Sequence, residues 1–469
     1  MLVYNTLTKK KEELIPLEPG KIKMYVCGIT PYFHSHIGHS RCYAAFDIIR
    51  RYLIFKGYKV EYIQNFTDID DKIIASANSE KIEPKELAER YIKSYFEDMK
   101  LLNIVPADNY PRVSENIRVI IDFIQKIIDN GYGYAIDGEV FFDVQRFKNY
   151  GRLSNRILEE QKAGARVKTD DKKRNPLDFT LWKPSKSGEP EWDSPWSKGR
   201  PGWHIECSAM SLNHFPETFD IHGGGQDLTF PHHENEIAQS ESVYGKPTVK
   251  YWMHNGFVTV NKEKMSKSLN NFFLIKDVLK KYKPEILRYF LASAHYRSPL
   301  DFSEEQLESS KAAYLKLKNF AFELNRGENR KLDESAEKEY TVVIEKFSED
   351  FTAAMDDDFN SCEALGIIHT FTRSIMKLIT DKGISSAIKS RISLEFKEIT
   401  GLLGFEINSE KQEQNASENM EGLMNIILKI RSMARSEKNF KLSDFIRDEL
   451  GKLNIEIRDT KDGVKYIIK

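Results

Sequence analysis

The chain has 469 residues, of which 40% are hydrophobic and 30% charged, with 25 Gly and 16 Pro. At roughly 150 residues per domain this length predicts about three domains, and the composition excludes a collagenous, low-complexity or wholly disordered protein. Lys and Arg number 70 against 71 Asp and Glu, a net charge of −1 that excludes a histone-like cationic coat but not one local face for a nucleic acid.

The four cysteines, Cys27, Cys42, Cys207 and Cys362, are too few and too scattered for a disulfide scaffold. A reducing cytoplasm is the expected compartment. The N-terminus offers no apolar signal region, and no stretch of about 18 apolar residues occurs, so secretion and membrane spanning are disfavoured.

In chain order, residues 21–28 alternate as a strand. Ala44, Ala45, Ile48, Ile49, Tyr52 and Leu53 then recur at helical spacing up to a stop at Gly57, and a second strand follows over 58–66. Strand, helix, strand is a right-handed βαβ unit that begins a parallel sheet. Residues 145–200 are loop-rich and carry 14 Lys/Arg against 8 Asp/Glu, which reads as a basic insertion into that sheet. Strands return at 219–222 and 252–260, so the catalytic domain is expected to be assembled from two separated segments. From Ser303 to about Leu403 the chain reads as a helical bundle capped by Ser303-Glu304-Glu305. The polar tract 408–419 reads as a linker, and the mildly basic 421–469 reads as two helices and a short hairpin.

Nine of the eleven histidines fall within 34–39 and 204–254. The first window, His36-Ile-Gly-His39, leads into a helix N-terminus, where unpaired N–H groups and the dipole favour an anion; Gly38 would let a ligand approach the backbone. Downstream, Lys264-Met-Ser-Lys267-Ser268 follows a strand beside Asn270-Asn271, the setting of a loop whose lysines can neutralise phosphate charge developing during transfer. Gly223-Gly-Gly225-Gln-Asp227 follows a strand, so bare backbone can approach a nucleotide while Asp227 accepts from ribose hydroxyls.

The His36–His39 and Lys264–Ser268 segments resemble the two signatures of class I aminoacyl-tRNA synthetases. Pro201–Met210, Phe219–Leu228, Phe230–Gln239 and Asn65–Lys72 narrow the resemblance to the cysteinyl-tRNA synthetases, over nearly the whole chain. The resemblance implies a Rossmann-like parallel-sheet catalytic domain with an insertion, then an α-helical bundle and a small α+β C-terminal domain. The expected boundaries are 1–110 and 201–260 for the two catalytic halves and 111–200 for the insertion. Residues 261–302 form a loop and stem-contact region, 303–405 a tRNA-binding bundle, 406–420 a linker and 421–469 an anticodon-recognition domain.

By the same resemblance, ATP with Mg²⁺ meets Gly28, His36, Gly38, His39, Gly223, Gly225, Asp227 and Lys267. His36, His39, Lys264 and Lys267 carry the catalysis, and Thr67, Trp203 and His204 line the cysteine pocket. The implied partners are L-cysteine, ATP and tRNA-Cys, for a cytoplasmic monomer.

A metal site has its own argument. No CxxC pair exists, which leaves Cys27, Cys207, His232 and Glu236, the last two on one face of a helix, as a tetrahedral zinc set; the family places zinc on the same four. Cys42 is expected to be a buried small hydrophobe, and His233 to support the ligands from behind. Zinc would select the cysteine thiolate over a serine hydroxyl, and the insertion is too short for an editing domain, so none is expected. Asp356-Asp357-Asp358 reads as a solvated turn capping the next helix, with no catalytic role. The nearest rival is a ligase with the same zinc site that joins cysteine to an amino sugar; the basic C-terminal tail favours tRNA. A non-catalytic relic of the fold is disfavoured by the complete signatures.

Overall fold

The computed structural model describes residues 1–156, 172–260, 263–265, 272–327, 329–407, 413–453, 455–460 and 463–468. Two compact units, Met1–Asn408 and Ser409–Lys469, make up the chain.

The first unit opens with the hairpin β1 (Leu2–Asn5) and β2 (Lys10–Glu13), followed by β3 (Lys21–Val26), helix α1 (Ile37–Phe55) and β4 (Lys59–Gln64). Helices α2 (Asp71–Glu80), α3 (Pro84–Leu101) and α4 (Ile117–Asp129) lead to the insertion strands β5 (Gly133–Ile136), β6 (Glu139–Phe142), β7 (Phe179–Pro184) and β8 (Gly199–Pro201). After the insertion come α5 (Ile205–His214), β9 (Phe219–Gly225), α6 (Glu234–Tyr244) and β10 (Val249–Asn255).

Strands β3, β4, β9 and β10 form one parallel sheet in the order β10-β9-β3-β4. Met24 pairs with Ile221 and Val26 with Gly223, so the two halves of the sheet meet at β3 and β9 although the insertion separates them in sequence. The insertion folds its strands into a separate antiparallel sheet, β5-β6-β7-β8. In an open parallel sheet ligands bind beyond the carboxyl ends of strands where the strand order reverses. That place is the mouth between β3 and β9.

The main core forms where α1 covers the sheet: Ala44, Ala45, Ile48, Ile49, Tyr52 and Leu53 are buried with Ile22, Met24 and Val26. A wholly apolar stripe is interrupted at Asp47, whose carboxylate accepts from Arg51 Nε at 2.8 Å, from Arg288 Nη2 at 2.6 Å and from the Val105 N–H at 3.0 Å. Arg288 also donates from Nε to the Leu403 carbonyl at 2.9 Å, which ties the helix after the first signature to the end of the bundle. A Cβ on Gly404 would overlap the Arg288 guanidinium, and its φ is +81°, so glycine is required there on both counts.

Three expectations change in the structure. The strand expected over 252–260 is two: β10 stops at Asn255, and β11 (Val258–Val260) joins a different sheet with β12 (Glu263–Lys264) and β13 (Leu300–Asp301). The break falls at Gly256, whose N–H is drawn to the Tyr296 carbonyl at 2.8 Å and where a Cβ would strike the backbone of Ser298. Asp358 is fully buried rather than solvated. It accepts from the Tyr4 N–H and the Tyr296 hydroxyl, each at 2.8 Å, and from Arg297 Nε at 2.6 Å, while the next helix is capped by Asn360. The polar tract expected as a linker is helical from Glu413 onward, because Glu, Gln, Ala and Met favour helix even without an apolar stripe; residues 408–412 lie outside the described residues.

Short helix α7 (Ile275–Val278) and α8 (Pro284–Ala292) precede a bundle of α9 (Glu304–Arg326), α10 (Glu334–Asp356), α11 (Ser361–Lys382) and α12 (Ser386–Leu402). The second unit consists of α13 (Glu413–Ser436), α14 (Phe440–Lys452) and the hairpin β14 (Ile455–Thr460) and β15 (Gly463–Ile468), with Met424, Leu428, Leu450 and Ile455 as its small core.

Asp47→Ala removes the counter-charge of an arginine that is almost wholly buried, and a buried ion left alone costs about 3–5 kcal/mol. Urea unfolding should show that loss. A change below about 1 kcal/mol would contradict the tie between α1 and the bundle.

Candidate functional site

Cys27 follows β3, Asn65 and Thr67 follow β4, Gly225 ends β9, and Asn255 ends β10, so the loops at one sheet edge enclose a cleft. Its lining includes Cys27, Gly28, His36, Gly38, His39, Thr67, Trp203, Cys207, Gly225, Asp227 and His232, in a cavity of about 290 Å³.

At the base of the cleft four donors converge. Cys27 Sγ lies 3.7 Å from Cys207 Sγ, 3.5 Å from His232 Nε2 and 3.6 Å from Glu236 Oε1, and His232 Nε2 lies 3.0 Å from Glu236 Oε1. Zinc–ligand bonds of roughly 2.0–2.3 Å in a tetrahedron require donor separations of about 3.3–3.8 Å, so these residues fit such an ion with small adjustment. All four are buried. A second grouping, Cys27, His222, His233 and Glu236, is also close, but Cys207 and His232 line the cleft and His222 and His233 do not.

Local structure explains the convergence. His232 sits in a wide π-type turn over Thr229–His233 rather than in a regular helix, and α6 starts only at Glu234; the turn still brings His232 and Glu236 together. His222 donates toward Glu236 Oε2 at 3.2 Å, stacks on Tyr25 and so orients the carboxylate from behind. His233 comes within 3.3 Å of Cys27 Sγ and pairs through Nδ1 with His254 Nε2 at 2.7 Å, and His254 in turn reaches Thr6 Oγ1 at 2.8 Å.

The electrostatics are those of a donor set that shares few protons. Burial, then contact with Cys207, pushes the Cys27 thiol well up, while the hydrogen bond from Cys27 holds Cys207 down at about 6. For His232 burial works against the charged form, but Glu236 and Cys207 outweigh it and raise it to about 10. Burial opposes ionisation of Glu236 too, and His222 and His232 overcome it, so its carboxyl is held well below the usual range. Burial leaves His204 and His233 well below the ordinary imidazole range.

Elsewhere in the cleft lining, His36 caps α1. Its Nδ1 accepts from the His39 N–H at 3.3 Å, His39 Nδ1 accepts from the His36 N–H at 3.4 Å, and the rings stack with centroids 3.6 Å apart. This reciprocal capping box fixes both rings at the helix N-terminus. Gly38 leaves room for the His36 ring, since a Cβ there would sit 2.8 Å from Cε1. A Cβ on Gly28 would overlap the Asn65 carbonyl oxygen, so this glycine is demanded by the packing of two loops.

Gly223 and Gly225 lie within β9 rather than after it. Gly223 faces the Phe46 ring on α1 and is not part of the cleft wall, whereas Gly225 and Asp227 are. Cys42 is buried in the main core and also borders the cleft. Trp203 is 45% exposed, with its ring 4.8 Å from His204 and 5.0 Å from His232, so it is a cleft wall and not core. His204 Nδ1 meets His232 Nδ1 at 2.9 Å. Lys264 lies in β12 with its side chain outside the described residues, as do Lys267, Ser268, Asn270 and Asn271. Part of the basic insertion, 157–171, is outside them too.

Sequence reasoning missed Asn65, Glu206, His222 and His254. The available signal was a polar residue in a strand or helix buried on both faces, which must have a partner.

Among the described residues no helix is long and apolar enough to cross a membrane. Residues 13–312 match the family model for the class I (C) tRNA synthetase catalytic domain, and residues 350–408 match the DALR domain. Methionyl-tRNA synthetase of Mycobacterium tuberculosis in complex with methionyl-adenylate superposes with a TM-score of 0.60 at 15% identity, over 82% of this chain and 89% of that one. A putative arginyl-tRNA synthetase from Campylobacter jejuni gives 0.58 at 13% identity, over 83% and 94%. These likenesses show the fold, and with the catalytic-domain match they make the chain a class I aminoacyl-tRNA synthetase with a Rossmann-like sheet.

Cysteine–tRNA ligase of Carboxydothermus hydrogenoformans is 49% identical over 466 residues, 99% of both chains, and that of Thermococcus gammatolerans is 48% identical over 469 residues, 99% of this chain and 98% of the relative. The chain belongs to the cysteine–tRNA ligase family.

Cys207→Ala should reduce tightly bound zinc from about one per chain to well under half, with the secondary structure retained. Zinc that stays after dialysis of this variant would contradict the donor set.

Proposed function

We propose that this enzyme activates L-cysteine with ATP, releasing pyrophosphate, and transfers the cysteinyl group to the terminal ribose of tRNA-Cys. The observation that carries this reading is the buried set of two sulfurs, one imidazole and one carboxylate opening into the same cleft as the capped N-terminus of α1.

Cys27, Cys207, His232 and Glu236 would hold one zinc ion, which supplies a soft acceptor for the thiolate of substrate cysteine. Trp203, His204 and Thr67 shape the surrounding pocket. The substrate carboxylate, already ionised, attacks the α-phosphorus of ATP in line, so no general base is needed; the enzyme positions the groups and stabilises charge. His36 and His39, fixed by their mutual cap, meet the phosphates at the positive end of α1. Mg²⁺ accompanies ATP. Asp227 and Gly225 take the ribose side, and Lys264 and Lys267 stabilise the phosphate charge that develops in the transition state. Gly28 and Gly38 line the cleft and would let the nucleotide approach bare backbone, while Gly223 makes room for the Phe46 ring behind it.

No editing step is needed. A pocket that relies on shape separates side chains differing by one methylene only about 10–200-fold, whereas a thiolate binds a metal that a neutral hydroxyl does not. The bundle at 303–405 and the unit at 421–469 would read the tRNA, by a monomeric enzyme.

ATP–pyrophosphate exchange should show kcat/KM for cysteine above that for serine by more than the roughly 200-fold of a shape-only pocket. A smaller ratio contradicts metal selection, and absence of exchange in the zinc-loaded enzyme contradicts the whole reading. Lys267→Ala should slow exchange by about 10²–10³-fold with cysteine affinity nearly unchanged. Removal of residues 409–469 should abolish tRNA charging and spare exchange; intact charging would contradict the role given to the second unit.

A further inference from the structure

Thr67 lines one cavity and its hydrogen-bond partner Glu206 lines another. The first is the catalytic cleft, which Thr67 borders with Cys27, Gly28, Trp203 and Cys207. The second is a smaller cavity of about 210 Å³, bordered by Asp70, Arg200, Trp203 and Glu206. Glu206 is 2% exposed and sits in the first turn of α5, one residue before a proposed metal ligand, yet neither the donor set nor the ATP side uses it.

The hydroxyl of Thr67 donates to Glu206 Oε2 at 3.2 Å and accepts from Asn65 Nδ2 at 3.4 Å. The Thr67 N–H is held by the Ile29 carbonyl at 3.1 Å, and Asn65 Oδ1 accepts the Gly28 N–H at 2.9 Å. The backbone on both sides is therefore fixed, and the hydroxyl cannot escape by moving the loop. A hydroxyl carries one proton and two lone pairs. With its proton spent on Glu206 and one lone pair taken by Asn65, Thr67 presents a single acceptor to the cleft.

Cysteine brings three polar groups. The thiol is destined for the metal set and the carboxylate, an acceptor, for phosphorus. The ammonium group alone needs acceptors. Asp227 is the one carboxylate among the described residues lining the cleft, and it stands with Gly225 and Gln226 at the end of β9. Thr67 is a side-chain acceptor that lines the cleft with Cys27 and Cys207, held by the residue next to Cys207.

We propose that Glu206 is a positioning residue for amino-acid recognition: it takes the Thr67 hydroxyl proton, so that the oxygen is committed as an acceptor for the α-ammonium of cysteine. This inference rests on the cysteine-activating reading above. It explains why a carboxyl group that belongs to neither the donor set nor the cleft lining is buried against Thr67.

The test compares equilibrium binding of cysteine with that of 3-mercaptopropionate, which keeps the thiol and carboxylate but lacks the ammonium, to the zinc-loaded full chain. Glu206→Met, nearly the same shape, should weaken cysteine about 10–100-fold, as expected for the loss of a hydrogen bond to a charged group, and leave 3-mercaptopropionate within about threefold. Glu206→Gln, whose carbonyl oxygen can still accept, should stay close to wild type. Thr67→Val should match Glu206→Met, and the double variant should be no weaker than either, because the two residues act as one unit. Zinc content should remain about one per chain throughout. Glu206→Leu serves the same comparison should Glu206→Met not fold.

Equal weakening of both ligands, an unchanged cysteine affinity in Glu206→Met, or a Glu206→Gln variant as damaged as Glu206→Met would overturn the proposal. Failure of the wild-type enzyme to bind cysteine or to support cysteine-dependent exchange would overturn the reading on which it rests.

Discussion

Four ligand-type side chains that repel one another or lose their hydration are crowded within hydrogen-bond distance in the floor of one cleft, and the fold around them is arranged to tolerate it. The donor atoms of two thiols, an imidazole and a carboxylate all lie within 4.8 Å of one another, Cys27 3.5–3.7 Å from the other three, with almost no access to water. Burial alone would neutralise each group. Instead, Glu236 is kept ionised by two imidazoles, His232 is raised by Glu236 and Cys207, and the two thiols divide their protons unequally. A divalent cation is the natural counter-charge for such a set, and binding it would release the constraint that the protein alone meets by proton sharing.

The parallel sheet exists in this chain to make that crowding possible. Cys27 leaves β3, while Cys207 and the His232–Glu236 pair come from segments beyond the insertion, and the pairing of β3 with β9 closes a gap of nearly two hundred residues. The same edge of the same sheet presents the α1 N-terminus with His36 and His39 locked in a reciprocal cap. The donor set and the capped helix N-terminus are thus adjacent because both depend on one topological feature, the mouth between two central strands. The buried Asp47–Arg288 pair then holds α1 against the bundle, so the His36–His39 side of the cleft is anchored to the helical half of the same unit.

Much of this is legible in the amino-acid sequence, for identifiable reasons. The first βαβ unit shows in the spacing of Ala44, Ile48, Ile49 and Tyr52, since a helix lying on a sheet needs one apolar stripe. The metal candidates show because thiols and imidazoles are scarce and the missing CxxC leaves few combinations. What stayed hidden depends on long-range packing. Gly223 reads as bare backbone for a nucleotide, yet its missing side chain makes room for Phe46. Gly256 looks like a residue inside a strand and instead breaks it, because the backbone of Ser298 presses on it from another part of the chain. Asp358 looks like a solvated turn and is buried between Tyr296 and Arg297. His233 lies beside Cys27, because the turn before α6 is wider than a regular helix.

Zinc-edge X-ray absorption on the metal-loaded enzyme addresses thiolate selection most directly. Two sulfurs should surround the metal in the free enzyme and three after addition of cysteine, with no change on addition of serine. An unchanged sulfur count with saturating cysteine would contradict recognition of the substrate through its thiolate and would leave the buried donor set with a purely structural role.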